Sequence, residues 1–524
     1  MFWADKIAEE IAKTKKPQRV DDAKTPSGRV HVGALRGVII HDLVHKALKD
    51  AKVKSHFTYI IDDMDPMDDL PVYLSKAKYE KYMGAPLKYI PSPVEKNPIT
   101  EPVGRTCEAK SYAEYYAYEF IEVFNKLGAK PEILWSSRLY EERRLDKYIK
   151  LALDNAEKIQ EIYEKISGSR RPKDFIPFQP ICEKCGKIGT TIASAWDGKF
   201  VSYGCSDEKV SWAKGCGHKG RVSPYGGNGK LPWSVEWPAK WAALGVTVEG
   251  EGKDHASKGG TRDTANVIAK EIFDWDPPYD IPYEHILFGG KKMSSSKGVG
   301  ASALEVSEVL PLEVLRFLMV RVRSMQHLEF DPSLEHTIPD LFDEFDSART
   351  SKDPDLKRIY ELSLVDKRVG KYFVLRFRDL VNLVQIPNID LVKEAEKKKD
   401  GVLTKDEKEL LEERIKYVKI YLGRFAPEEV KFTVKEELPK EVRTLNKKQK
   451  EFLSRLTNLI TSAKDAEKFQ NNIYQTGKDL GLTSSETFKA IYTALLGKES
   501  GPKAAWLILS LDKDFVRKRF EEVG

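Results

Sequence analysis

The sequence predicts an α/β protein with a parallel sheet, a cysteine-rich insertion and an all-helical C-terminal third. Three observations carry this expectation. Residues 19 to 61 run strand, turn, helix, strand; four of the five cysteines fall between Cys182 and Cys216; and strand pattern almost vanishes beyond Asp353.

Taken in order, Trp3, Ile7 and Ile11 recur at a spacing of four and give a short N-terminal helix one apolar face. Arg19 to Lys24 reads as a short strand and Thr25-Pro26-Ser27-Gly28 as a turn. From Gly33 to Lys49 the period is helical, with Leu35, Val38, Ile39, Leu43, Ala47 and Leu48 on a wide stripe. Val53 to Ile61 is a second strand, ending at Asp62 and Asp63, which fit either the lining of a crevice or a helix cap with a solvated neighbour. Long helices are expected over 111–127 and 138–167, then a linker from Gly168 to Pro180. The segment from Ile181 to Pro224 breaks the α/β pattern, which Trp237 to Gly252, Thr261 to Phe273 and the buried strand Ile286-Leu287-Phe288 restore. Helical period takes over from Ala303; past Asp353 only Val430 to Val434 has ambiguous strand character, and Lys393 to Asp400 reads as a solvated charged run.

A chain of 524 residues accommodates three or four domain-sized units, and 41% hydrophobic with 32% charged residues excludes both a disordered polymer and a membrane bundle. The net charge of +6, from 87 basic and 81 acidic residues, permits a polyanion-binding surface without demanding one. Met1 to Lys6 lacks the charged start and apolar middle of a secretory signal, and no apolar run reaches the ~18 residues of a membrane span, so a cytoplasmic location is expected. The odd, clustered cysteines point to a metal site in a reducing compartment rather than a disulfide scaffold.

Two loops carry candidate phosphate chemistry. Thr25 to Ala34, with His31 and Gly33, lies where a strand hands over to a helix; there free backbone N–H groups and the positive end of the helix dipole favour an anion, and His31 adds a donor toward phosphate oxygens. Gly289 to Gly298 is cationic and hydroxyl-rich, with Lys292, Met293, Ser294, Ser296 and Lys297, which suits closure over a triphosphate. Alone, the first is also compatible with a plain Gly/Pro turn and the second with an exposed polar loop. The third constellation, Cys182-x2-Cys185, Cys205 and Cys216-Gly217-His218, has the spacing of a closed tetrahedral site, and structural zinc is the expected ion. Either Cys216 or His218 serves as the fourth ligand. Cys107 stands alone, and no second zinc is expected around it.

Together the His-x-Gly turn and the Lys-Met-Ser-x-Ser loop form the two-part signature of class I aminoacyl-tRNA synthetases. With Trp3-Ala4-Asp5, Val235 to Gly260 including Gly252-Lys253-Asp254-His255, Phe377 to Ile386 and Leu495 to Trp506, the chain resembles the class I lysyl-tRNA synthetases over nearly its whole length. The resemblance implies a Rossmann-like doubly wound catalytic domain with a zinc-containing insertion, followed by an all-α anticodon-binding domain. Its segments are 1–180 for the first half with a helical connective region, 181–224 for the insertion, 225–302 for the second half, 303–352 for a helical stem-contact region and 353–524 for the anticodon domain.

It also implies ligation of lysine to tRNA(Lys) through a lysyl-adenylate, with ATP and Mg²⁺ as the substrate complex. His31, Lys292 and Lys297 would be catalytic; Gly33, Met293, Ser294 and Ser296 would contact ATP; Thr25, Trp233 and His255 would hold lysine. Asp254 is the expected partner of the ribose hydroxyls. An aromatic face such as that of Trp233 holds an ammonium-bearing alkyl chain by packing and cation–π attraction, although a core tryptophan is the alternative. Here Ala23 stands where the family has glycine, Ala34 replaces the motif's second histidine and Ser295 replaces a lysine. A monomer is favoured. Competing readings are a glutamyl- or cysteinyl-specific class I enzyme and a catalytically silent, zinc-containing tRNA-binding paralogue.

Overall fold

The computed structural model describes residues 1–93, 104–172, 174–288, 291–292, 302–365, 372–386 and 389–523. The chain divides into two compact units, Met1–Phe330 with Ala348–Lys367, and Asp331–Ser347 with Arg368–Gly524. The division is interleaved, so 331–347 groups with the C-terminal helices rather than with the rest of 303–352.

The first unit is built on a five-stranded parallel sheet whose spatial order is Tyr279–Asp280, Val248–Glu249, Gln18–Lys24, Ser55–Ile61, Glu132–Trp135. The order reverses on either side of Gln18–Lys24, the arrangement of an open doubly wound sheet, and ligands of such sheets sit beyond the strand ends at that reversal. Gln18–Lys24 pairs residue for residue with Ser55–Ile61, and the crossover between them is the helix Ala34–Asp50. That helix buries Leu35, Val38, Ile39, Leu43, Ala47 and Leu48. It also buries Asp42, whose carboxylate takes Arg316 Nη2 at 2.5 Å while the same guanidinium donates to the carbonyls of Leu127 and Leu362. The N-terminal helix Trp3–Ala12 buries Ala4, Ala8 and Ile11, so its covered face is rotated from the Trp3–Ile7–Ile11 line.

The expected long helix over 138–167 is three helices, Ser136–Glu141, Asp146–Asp154 and Ala156–Ser167. Arg143 adopts φ +61°, which no helix continues through, and Asn155 turns its side-chain amide back to the Leu151 carbonyl at 2.8 Å. The insertion is a three-stranded antiparallel sheet, Thr191–Trp196, Val201–Cys205 and Lys219–Val222. The chain enters and leaves it through two-residue strands that pair with each other, Gln179–Pro180 and Gly229–Lys230. A Cβ at Gly229 would lie 2.4 Å from the Gln179 carbonyl oxygen, so glycine is required at that crossing.

Ile286–Phe288 is a strand, but it belongs to a second, three-stranded sheet with Lys291–Lys292 and Leu328–Phe330. Leu328–Phe330 therefore interrupts the segment expected to be helical from Ala303 onward; three residues are too few to register as a period-2 pattern. In the C-terminal unit no strand occurs among the described residues, Val430 to Val434 included. Three of its helices open on capping boxes, at Thr404 with Glu407, Asn446 with Gln449 and Thr483 with Glu486. No helix among the described residues is long and apolar enough to cross a membrane.

Candidate active site

At the sheet reversal, Gln18–Lys24 gives way to the turn that carries His31. The His31 backbone bridges to Ser302, and the Ala303 N–H donates to the Val30 carbonyl at 2.9 Å. The helix beyond opens tightly: the N–H groups of Ala34, Leu35 and Arg36 donate to the carbonyls of His31, Val32 and Gly33. These donors were expected to be free for an anion. They close turns instead, and what the helix start presents there is its dipole.

A cavity of about 300 Å³ lies over the strand ends. His31, Gly33, Ala34, Ala23, Trp233, Asp254 and His255 line it, with Asp22, Lys24, Tyr59, Glu249, Glu251, Tyr283 and His285 among the rest of the wall. Three of these are inner carboxylates, each pushed up by burial. Asp22 reaches about 7 against the opposing Ala23 N–H bond, Glu249 about 7 although two indole N–H groups favour its charge, and Glu251 about 9 despite Arg262. Glu249 accepts from Trp237 Nε1 at 2.8 Å and from Trp241 Nε1, and Arg262 Nη1 reaches Glu251 at 2.9 Å. Of the three, Asp22 is the one held by neither an indole nor a guanidinium among the described residues; it accepts from the Ala23 N–H at 2.9 Å.

Trp233 starts the helix Trp233–Leu244 and stacks on Trp237, with ring centroids 5.2 Å apart and planes 15° apart. His255 stands 6.5 Å from Trp233 and 6.1 Å from Trp237. Asp254 lies 3.2 Å from Nε2 of His285, and both line the cavity. Thr25 is half-buried and donates to Asp65 at 2.5 Å; it is not among the cavity-lining residues. Lys292 is described through its backbone, which pairs with Leu287, whereas Met293, Ser294, Ser296 and Lys297 lie outside the described residues. On either side of that stretch, Ile286 lines the cavity and Ser302 bridges to His31.

The model of the family described as tRNA synthetases class I (K) matches residues 1–366. The chain belongs to that family. This class I synthetase is 36% identical over 524 residues to the lysine–tRNA ligase of Archaeoglobus fulgidus, covering 99% of each chain. It is 37% identical to that of Methanosarcina barkeri strain Fusaro, over 100% of this chain and 98% of the other. It is 36% identical to that of Thermoplasma acidophilum, over 100% and 99%.

The synthetase also holds, around the helix Trp233–Leu244, an ionic network that the sequence reading missed. Lys240 pairs with Asp62 and lies 3.4 Å from Glu236; Lys230 pairs with Asp65 and lies 2.8 Å from Glu236; Tyr140 donates to Glu236 at 2.6 Å. Asp63 accepts from both the N–H and the hydroxyl of Ser137. Asp62 and Asp63 are thus structural anchors rather than a cap and a solvated neighbour. Burial raises Asp62 to about 6, whereas Asp65, which is half-buried, ends below the usual carboxylate range because of Lys230.

In the synthetase's insertion the sulfurs of Cys182, Cys185, Cys205 and Cys216 lie within 4.8 Å of one another. The Cys182–Cys216 and Cys185–Cys205 separations are 3.6 and 3.7 Å. A tetrahedral thiolate site with metal–sulfur bonds of about 2.3 Å requires sulfurs about 3.8 Å apart, so the four thiols fit a metal ion. His218 turns instead toward Glu183, at 4.0 Å, and its ring meets the Tyr203 edge. Cys107 is exposed and not part of the cluster.

Proposed function

We propose that this synthetase activates lysine with ATP and transfers it to tRNA(Lys). Lysine's carboxylate attacks the α-phosphorus and expels pyrophosphate; a terminal ribose hydroxyl of the tRNA then attacks the adenylate carbonyl and expels AMP. The observation that carries the reading is the single cavity at the sheet reversal, where His31, Asp254, Trp233 and His255 share one space with a carboxylate-bearing inner wall. When ionised, Asp22 offers an ammonium group a carboxylate partner that the side chain of glutamate cannot use, and Lys24 on the same wall offsets part of its charge. His31, Lys292 and Lys297 act by stabilising charge on the phosphates, and Mg²⁺ enters with ATP to offset that charge. Gly33, Met293, Ser294 and Ser296 belong to the same nucleotide site, Asp254 takes the ribose hydroxyls, and Trp233 and His255 flank lysine. Thr25 lies outside the cavity lining, turned to Asp65, and reaches lysine only by leaving that bond. The helical C-terminal unit takes the anticodon, whose unstacked bases suit aromatic and Arg surfaces. Pyrophosphate exchange with lysine, glutamate and cysteine, with and without tRNA, tests the reading: exchange is expected with lysine alone, and exchange with glutamate or cysteine in its place overturns it.

For the four-cysteine site we propose structural zinc. All four positions are filled by protein, so the ion staples the insertion and has no open position for chemistry. One zinc per chain is expected by elemental analysis, lost in Cys216→Ser and retained in His218→Ala; the opposite pattern transfers the fourth position to the histidine.

A further inference from the structure

Behind the cavity, His41 is completely buried on the helix Ala34–Asp50. Its Nε2 lies 2.8 Å from the Gly250 amide nitrogen, and its Nδ1 lies 2.7 Å from the Gly37 carbonyl oxygen. A backbone N–H can only donate and a carbonyl can only accept, so these two partners leave one arrangement: Nδ1 carries the proton and Nε2 accepts. The ring therefore ties the crossover helix to the peptide that links Glu249 to Glu251.

Both ends of this tie are tight. A Cβ at Gly250 would stand 2.2 Å from the Ile281 carbonyl oxygen, and one at Gly37 would stand 2.7 Å from the Tyr283 hydroxyl and 3.1 Å from Asp22 Oδ2. On the far side Arg262 Nη1 donates to the Glu249 carbonyl at 3.1 Å. Glu249, Gly250 and Glu251 thus enter the cavity wall gripped from two sides, by His41 and by Arg262. Asp22 Oδ2 lies 3.6 Å from the same imidazole.

We propose that His41 is a positioning residue for the amino-acid cavity, fixing the Gly250 peptide against the crossover helix and so setting the spacing of the inner carboxylates. It touches no reacting atom. Burial lowers its pKa, which keeps Nε2 free to accept. This inference rests on the lysine reading for its kinetic consequence, but not for its hydrogen bonding.

The test uses two variants of the full chain. Gln carries one donor and one acceptor at about the spacing of the ring nitrogens, whereas Leu fills similar volume with neither. His41→Leu is expected to raise KM for lysine about tenfold or more in pyrophosphate exchange, with KM for ATP within twofold of wild type; His41→Gln is expected to recover most of the loss. A wild-type KM for lysine in His41→Leu, or equal changes in both constants, overturns the proposal. The ¹⁵N shifts of the unsubstituted chain, labelled at histidine, serve if the variants fail to fold: protonation at Nδ1 is expected, and protonation at Nε2 overturns the proposal. Absence of lysine-dependent exchange in the wild-type chain defeats the lysine reading separately, and the tautomer still decides the role of His41.

Discussion

Replacing His31 by alanine is expected to lower lysine-dependent pyrophosphate exchange by roughly 10²–10³-fold, the loss typical of removing one donor to developing charge. The fold is expected to survive. The side chain faces the cavity, and the local architecture rests on backbone contacts, the bridge to Ser302 and the Ala303 N–H to Val30 bond, that alanine retains. The defect is expected in kcat, because the interaction strengthens as charge builds on the phosphates. Unchanged exchange in a variant with a wild-type melting curve removes His31 from the chemistry.

Asp22→Asn is expected to weaken lysine binding by roughly 10- to 100-fold, the range for loss of a hydrogen bond to a charged group. The pH dependence gives the more diagnostic reading. Burial holds the free carboxyl near 7, so it is protonated below that pH and ionised above it. An ammonium group requires the ionised form. KM for lysine is therefore expected to rise as pH falls through about 7, by no more than the 10- to 100-fold that Asp22→Asn removes. Glu249 titrates in the same range but is already engaged by two indole donors. The variant separates them: an Asp22→Asn enzyme that keeps the acid limb assigns it to Glu249 or another group.

Much of this site was legible in the sequence, and the illegible part has a physical explanation. His31 and the four cysteines announce themselves because phosphate turns and thiolate clusters need particular residues at short, fixed spacing. The crossover unit from Gln18 to Ile61 was legible because its helix is long and its apolar stripe continuous. Val248–Glu249 and Tyr279–Asp280, by contrast, hold two ladder residues each, too few for any period, yet they complete the sheet and set the reversal at which the cavity forms. Glu249, Glu251 and Asp22 were missed for a different reason: a carboxylate becomes informative only when its burial is known. The pairing of Asp62 with Lys240 spans 178 positions and leaves no local trace. The break at Arg143 is the converse case, a left-handed residue with no glycine to mark it.

The short antiparallel clasp formed by Gln179–Pro180 and Gly229–Lys230 brings the two ends of the insertion together at one doorway. A replacement module would also have to supply the contacts this one makes with the main body, because Ala193 and Val201 share a core with Trp237 and Trp241 and the Ile188 and Gly189 N–H groups donate to the Gly84 carbonyl. Lys230 sets a further limit, because its ammonium is locked between Asp65 and Glu236. A graft must begin after Pro180 and finish before that lysine.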